Sequence, residues 1–217
     1  MNVEQARFNM VEQQIRTWEV LDPDVLDLLF RVKRELFVPA DHRELAFADL
    51  EIPIGHDQSM MQPKVEARLL QELAIRPHET AYEVGTGSGY LTALLASRAK
   101  HVTSIEIHEG LRRGAEQSLR RAGVDNATLL PGDGAARPLA DSAFDVIVLT
   151  GSVPFVPQSF LDRLNVGGRL FAVVGDPPVM EAMLIRQPER GAFQPTKLFE
   201  TLLKPLVNAP QPARFRF

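Results

Sequence analysis

The feature that most limits what this chain can fold into is the segment Tyr82-Glu83-Val84-Gly85-Thr86-Gly87-Ser88-Gly89-Tyr90. A β-type run over residues 80–84 leads into three glycines spaced two apart, and a helical pattern over 90–98 leads out. Glycines allow a tight turn and the close approach of a ligand to the backbone. The helix that begins there presents unpaired N–H groups at its first turn. A strand–loop–helix unit of this kind belongs to a sheet with helices packed on its faces.

From residue 78 onward the chain keeps that rhythm. The spacing predicts a strand at 101–107, a helix at 111–122, strands at 127–130 and 144–149, a short helix near 157–164 and a strand at 169–174. This alternation predicts an α/β fold, Rossmann-like, with a mostly parallel sheet. Residues 179–186 and 196–203 follow with no helix between them, around the turn Pro188-Glu189-Arg190-Gly191. They predict an antiparallel C-terminal pair at the sheet end.

Residues 1–75 read differently, as an N-terminal helical and loop extension packed on a core that spans 76–217. Residues 3–18 predict a helix with Phe8, Val11, Ile15 and Trp18 on one face. Asp22 is a good N-cap and Pro23 a good first residue for a second helix. Pro63 opens a third, running to about residue 75, and residues 53–63 read as an ordered loop. The Pro-rich stretch 205–212 excludes a regular helix or a central strand. The aromatic end Phe215-Arg216-Phe217 is a candidate for packing against its own domain or a partner.

Composition removes several function classes. The 217-residue chain has a net charge of -4, so no overall field draws it to nucleic acid. The cluster Arg112, Arg113, Arg120 and Arg121 sits at helical spacing and reads as a solvated helix face. There are no cysteines, which excludes disulfides, thiol nucleophiles and thiolate zinc sites. The five histidines form no i,i+4 pair around an acid, and no metal site is expected. No apolar run is long enough to span a bilayer, and the first residues lack a signal-peptide core. A cytoplasmic protein without a membrane partner is expected.

Two acids sharpen the glycine loop into a site. Glu106, about 20 residues on at the end of the second core strand, stands where an acid binds both ribose hydroxyls. Asp133, in Gly132-Asp133-Gly134 after the third, stands where an acid accepts from an adenine amino group. All three features meet at one sheet edge, where open α/β sheets bind ligands. The loop reads G-x-G-x-G and is preceded by Glu83, whereas a dinucleotide loop reads G-x-G-x-x-G and binds a pyrophosphate at the helix start. An acid at that strand end repels a pyrophosphate and suits the cationic ammonium or sulfonium of S-adenosylmethionine.

Over residues 8 to 176 the chain resembles the protein-L-isoaspartate O-methyltransferase family. The resemblance lies in Gln14-Ile15, Val32-Lys33-Arg34-Glu35-Leu36-Phe37-Val38-Pro39, Ile52-Pro53-Ile54-Gly55, Gln58-Ser59-Met60-Met61-Gln62-Pro63, the glycine loop, Gly132-Asp133-Gly134, and Pro154 with Pro157. It implies a Rossmann-like methyltransferase fold and S-adenosyl-L-methionine as cofactor, with S-adenosyl-L-homocysteine as product. It implies cofactor binding by Glu83, Gly85, Thr86, Gly87, Ser88, Glu106, Ile107, Asp133 and Gly134. It further implies that the 55–63 and 151–157 segments enclose the methyl acceptor, the free α-carboxylate of an isoaspartyl residue, in protein repair.

The acceptor loop departs from the family pattern. Asp57 takes a glycine position, Ser59 a threonine position and Met61 the position of a serine whose hydroxyl neighbours the reacting carboxylate. Methionine has no donor. Ser59 is therefore the expected catalytic hydrogen-bond donor to the acceptor. His56 and Asp57 read as solvated loop residues, and Met60 and Met61 as pocket lining or core. Lys64, the 151–153 segment and the chain from Phe199 to Phe217 also depart from the family pattern. The expected function is O-methylation of a carboxylate in an isoaspartyl protein or peptide. The alternatives are a related methyltransferase with a small-molecule acceptor, or a cofactor-binding protein without isoaspartyl activity.

Overall fold

A computed structural model describes residues 2–136 and 142–212. The end Phe215-Arg216-Phe217 lies outside the described residues. The core is a seven-stranded sheet in the order β5-β4-β3-β6-β7-β8-β9. Its parallel strands are β3 (Thr80–Val84), β4 (His101–Glu106), β5 (Ala127–Pro131), β6 (Phe144–Leu149) and β7 (Leu164–Asp176). β8 (Val179–Glu189) and β9 (Ala192–Glu200) are antiparallel to their neighbours, as the sequence predicts. β9 begins four residues earlier than the expected 196, and it carries Pro195. A proline is tolerated there because β9 pairs on one side only.

The period-2 alternation of strand side chains builds two cores from single strands. Val146, Val148, Phe171 and Val173 pack on one face. Ile147, Leu149, Leu170 and Ala172 pack on the other. The helix α4 (Tyr90–Ala96) follows the glycine loop and is buried along its whole length. A helix apolar all round must be covered on every side. Here the cover is the N-terminal region, whose Phe37 meets Tyr90 with ring centroids 5.6 Å apart.

That region contains α1 (Val3–Asn9), a π-helical turn over Met10–Ile15 and a 3-10 turn over Arg16–Trp18. The expected helix over 3–18 thus continues in one direction with a changing pitch. Phe8 turns outward, 49% exposed, while Arg7 is fully buried. Arg7 faces inward because its guanidinium is paired with Glu4 and Glu35 and lies over the Phe47 ring at 5.3 Å. α2 (Pro23–Arg31) starts as predicted, with the Asp22 side chain accepting from the amides of Asp24 and Val25. α3 (Pro63–Leu73) opens on Pro63. Val11, Ile15, Leu29 and Leu69 share a hydrophobic cluster with the sheet residues Val102 and Val146.

Residues 53–63 differ from the expected loop. They hold most of a small hairpin, β1 (Ile52–Gly55) and β2 (Gln58–Met60). His56 and Asp57 form its two-residue tip with φ of 52° and 55°. Positive φ at both positions is what a type I′ hairpin turn needs. The strands are too short to show an alternation of their own in the sequence, and the turn lacks the glycine that signals such hairpins.

Candidate active site

The strand order reverses at β3, because β4 and β5 lie on one side of it and β6 on the other. A crevice opens at the carboxyl ends of strands at such a point. Here it is a cleft that encloses about 760 Å³ of space, the open solvent at its mouth included. Its lining includes Ser59, Glu83, Gly85, Thr86, Gly87, Ser88, Glu106, Ile107, Asp133 and Gly134. Every site residue expected from the sequence is brought to one cavity.

β3 delivers Glu83, which is fully buried. Its Oε2 accepts from the hydroxyls of Thr92 at 2.5 Å and Ser104 at 2.6 Å. Thr86 Oγ1 lies 2.6 Å from the same Ser104 hydroxyl. The other oxygen, Oε1, is buried without a hydrogen-bond partner among the described residues. Burial pushes the Glu83 carboxyl up to about 8; the two hydroxyls oppose the shift, and the nearby acids Glu106 and Glu66 add to it.

The glycine loop follows. Gly85 sits at φ +96°, and a Cβ there would run into Thr150 Oγ1. Thr150, at the end of β6, donates to the carbonyls of Val84 at 2.8 Å and Gly85 at 2.7 Å. Ser88 Oγ accepts from the amide of Tyr90 at 3.3 Å, at the start of α4.

β4 ends on Glu106, buried with only 4% exposure. Its Oε2 accepts from the Gly87 amide at 2.8 Å and its Oε1 from the His108 amide at 3.0 Å. Ile107, next in the chain, stands at the rim and is 38% exposed. After β5, Asp133 Oδ1 accepts from the amides of Ala135 and Ala136. Asp133 Oδ2 accepts from Asn208 Nδ2 at 2.6 Å, so the C-terminal segment reaches back to the cleft. Gly134 is hemmed in, because a Cβ would lie 2.5 Å from Ile105 Cγ2 and 2.8 Å from Val84 Cγ1.

The β1–β2 hairpin forms the opposite wall through Ile54, Gln58, Ser59, Met60 and Met61. Both methionines are buried cleft lining. Nearby, the Glu51 carboxyl is raised by burial against the pull of Lys204 and Ser59. At the hairpin tip, exposed as expected, Asp57 nonetheless has a partner, Lys204 Nζ at 2.8 Å. His56 stacks on His108 with centroids 4.5 Å apart. The hairpin is thereby joined to both the β4–α5 connection, where α5 is Glu109–Arg121, and the C-terminal segment.

Sequence reasoning did not single out Glu66, Thr150, His108 or Leu206, which also line the cleft. Glu66 lies in the first turn of α3 among apolar positions, and a lone acid at a helix start reads as ordinary end charge. Arg34 and Glu35 were visible as a motif without a role. Arg34 pairs with Glu66 and donates to the Met61 carbonyl at 2.7 Å, while Glu35 holds Arg7. Among the described residues no cluster of three metal-ligating side chains occurs, and no helix is long and apolar enough to cross a membrane.

The family model of protein-L-isoaspartate(D-aspartate) O-methyltransferase matches residues 5–211. The chain belongs to this family. It is 38% identical over 191 residues to a protein-L-isoaspartate O-methyltransferase of Syntrophobacter fumaroxidans, covering 88% of this chain and 89% of the relative. It is 40% identical over 169 residues to one from Methanoculleus marisnigri, covering 78% and 77%. In three dimensions it is similar to a protein-L-isoaspartate O-methyltransferase of Plasmodium falciparum solved with S-adenosyl-L-homocysteine. That likeness has a TM-score of 0.81 at 20% identity and covers 95% of this chain and 99% of the other. As a member of the protein-L-isoaspartate O-methyltransferase family, the chain is an S-adenosylmethionine-dependent methyltransferase. Its cleft suits that cofactor, since Glu83 Oε1, unpartnered among the described residues, offers a buried acceptor to a cationic group beside a loop whose three glycines leave the backbone open to a ligand.

Proposed function

We propose that this protein methylates the α-carboxylate of isoaspartyl residues in proteins or peptides. The observation that carries the reading is the meeting of two walls in one cleft: the glycine loop with its acids, and the family's acceptor hairpin. S-adenosylmethionine, when bound, supplies an electrophilic methyl group on a sulfonium. Glu83 and residues 85–88 are assigned to its amino-acid end, Glu106 and Ile107 to the ribose, and Asp133 and Gly134 to the adenine. Residues 1–75 serve as an extension that supplies the hairpin and covers α4.

A carboxylate acceptor is already ionised at neutral pH, so the site needs no strong base. The chain's task is to position the acceptor and keep water out. Ser59, on the hairpin wall, is assigned as a hydrogen-bond donor to the acceptor.

The test is transfer of labelled methyl to an isoaspartyl peptide, with the aspartyl peptide of the same sequence as control. Label on the first alone is the expected result. Background label on both, with S-adenosylhomocysteine bound by calorimetry, removes the isoaspartyl reading and leaves the cofactor assignment standing.

A further inference from the structure

Met61 leaves the acceptor side of the cleft without the family's hydroxyl, yet a carboxyl group stands beside it with no role assigned above. Glu66 is 2% exposed and lines the cleft together with Met61 and Glu83. Its Oε2 is held by Arg34. The other guanidinium arm donates to the Met61 carbonyl at 2.7 Å. One guanidinium therefore fixes both Glu66 and the end of the acceptor hairpin. Arg34 is itself immobilised over the Tyr90 ring at 4.7 Å. From the elements packed around it, the titratable groups facing Glu66 are Arg34, Glu83 of β3 and Tyr90 of α4.

We propose that Glu66 is an acceptor-recognition residue: it takes up a proton as the acceptor's carboxylate enters and donates the hydrogen bond that Met61 cannot. This rests on the carboxylate acceptor of the proposed function. Without acceptor, and above about pH 7, Glu66 and Arg34 form a neutral ion pair. A second carboxylate would set two anions against one guanidinium, and like charges in a buried site favour protonation of one. With a proton on Glu66, its carbonyl oxygen still accepts from Arg34 and its O–H donates to the acceptor. The positive charge of Arg34 then balances the acceptor carboxylate. When the neutral ester leaves, Glu66 releases the proton, so the cycle consumes none. Burial pushes the Glu66 carboxyl up to about 7 against the pull of Arg34, which makes that proton available near neutrality.

The experiment measures kcat and KM for an isoaspartyl peptide at saturating S-adenosylmethionine from about pH 6 to 8.5. In the wild type, KM rises above about pH 7, approaching tenfold per unit, because the entering acceptor must bring a proton with it. Glu66→Gln keeps a donor and an acceptor but cannot titrate, so its KM stays flat across the range. Its S-adenosylhomocysteine affinity stays within about threefold of wild type. A Glu66→Gln enzyme that keeps the wild-type slope overturns the proposal. A weakened cofactor affinity together with that slope places Glu66 on the cofactor and overturns it equally.

A second measurement needs no variant. Calorimetry of peptide binding to the S-adenosylhomocysteine complex at about pH 8, in two buffers of different ionisation enthalpy, reads uptake of close to one proton. Zero uptake overturns the proposal. Wild-type enzyme silent on the peptide removes the proposed function and this inference together, whereas a retained slope in active Glu66→Gln removes this inference alone.

Discussion

The backbone amide of Gly87 donates to Oε2 of Glu106 across 2.8 Å. The turn of the glycine loop is thus tied to the end of the neighbouring strand β4, and the acid assigned to the ribose is aimed by the loop assigned to the methionine end. The His108 amide holds the other oxygen.

Removing this acid should cost both the aim and the charge-assisted hydrogen bonds. Hydrogen bonds to a charged group contribute about 1.5–3 kcal/mol. Glu106→Ala should weaken S-adenosylhomocysteine binding about 10- to 100-fold. Calorimetric titration of the variant checks this, with circular dichroism to confirm folding. Undiminished affinity would show that Glu106 serves only to shape the loop.

Glu83 gives the cofactor step a pH dependence. Its folded carboxyl is pushed up to about 8 from an ordinary 4.5, chiefly by burial. The free protein therefore holds a proton there below about pH 8, and a cationic ligand at Oε1 drives it off. Between about pH 6 and 8, cofactor affinity should rise with pH by up to tenfold per unit, with a proton released on binding. Without ligand the sign for stability is opposite. The raised carboxyl favours the fold fully below 4.5, and that contribution is lost as pH rises through about 8. Glu83→Gln should flatten both dependences, read by calorimetry and by thermal melts across the range.

The glycines separate by their surroundings. Gly85→Ala forces a β-carbon toward Thr150 at a positive φ, and Gly134→Ala forces one between Ile105 and Val84. Each should destabilise by about 2–3 kcal/mol, lowering Tm by roughly 4–12 °C for a chain of this size. Gly114, inside α5, has nothing within 4 Å of its Cβ position. Gly114→Ala should stabilise by about 0.5–1 kcal/mol, since alanine is the better helix former. Differential scanning of the three variants decides the order.

The parallel core was legible because its signals are local. The strand, glycine loop and helix of residues 80–96 are contiguous, and Glu106 and Asp133 each follow a strand that announces itself by apolar character. The site residues missed depend on contacts that no local pattern encodes. Glu66 and Arg34 are 32 residues apart and meet only because α3 packs beside the 3-10 turn over Arg34–Leu36. Lys204 reaches Asp57 across 147 positions. The hairpin Ile52–Met60 escaped for another reason: its strands are too short to establish a period, and His56-Asp57 takes a turn conformation that favours glycine or asparagine. The outward Phe8 and inward Arg7 reversed an apolar pattern because two carboxylates and the Phe47 ring make burial of a guanidinium favourable.

Breaking the buried fork between Arg169 and Glu79 should be costly, because it leaves one charge buried without its partner. Arg169 Nη1 and Nη2 donate to the two Glu79 oxygens at 2.6 and 2.7 Å. Its Nε and Nη2 also satisfy the carbonyls of Leu73 and Ala74 at the end of α3. β7 is thereby fastened to the close of α3 and the approach to β3. Arg169→Ala leaves a buried carboxylate and two carbonyls without their partner, a loss of about 3–5 kcal/mol and roughly 6–20 °C in Tm. Burial alone would raise the Glu79 carboxyl, but hydrogen bonds from Arg169 and from the Arg76 amide hold it below its ordinary 4.5. A depressed carboxyl stabilises the fold above 4.5, and the contribution is lost as pH falls through the lower folded value. Acid titration of the wild type should therefore show an unfolding slope below about pH 4.5 that is shallower in Arg169→Ala. Replacing both partners by apolar residues, Arg169→Met with Glu79→Leu, should recover much of the loss at neutral pH, because no lone charge is left buried. Urea melts of the single and double variants measure the difference. A double variant as unstable as Arg169→Ala would mean that the orphaned carbonyls of Leu73 and Ala74, rather than the lone carboxylate, account for the cost.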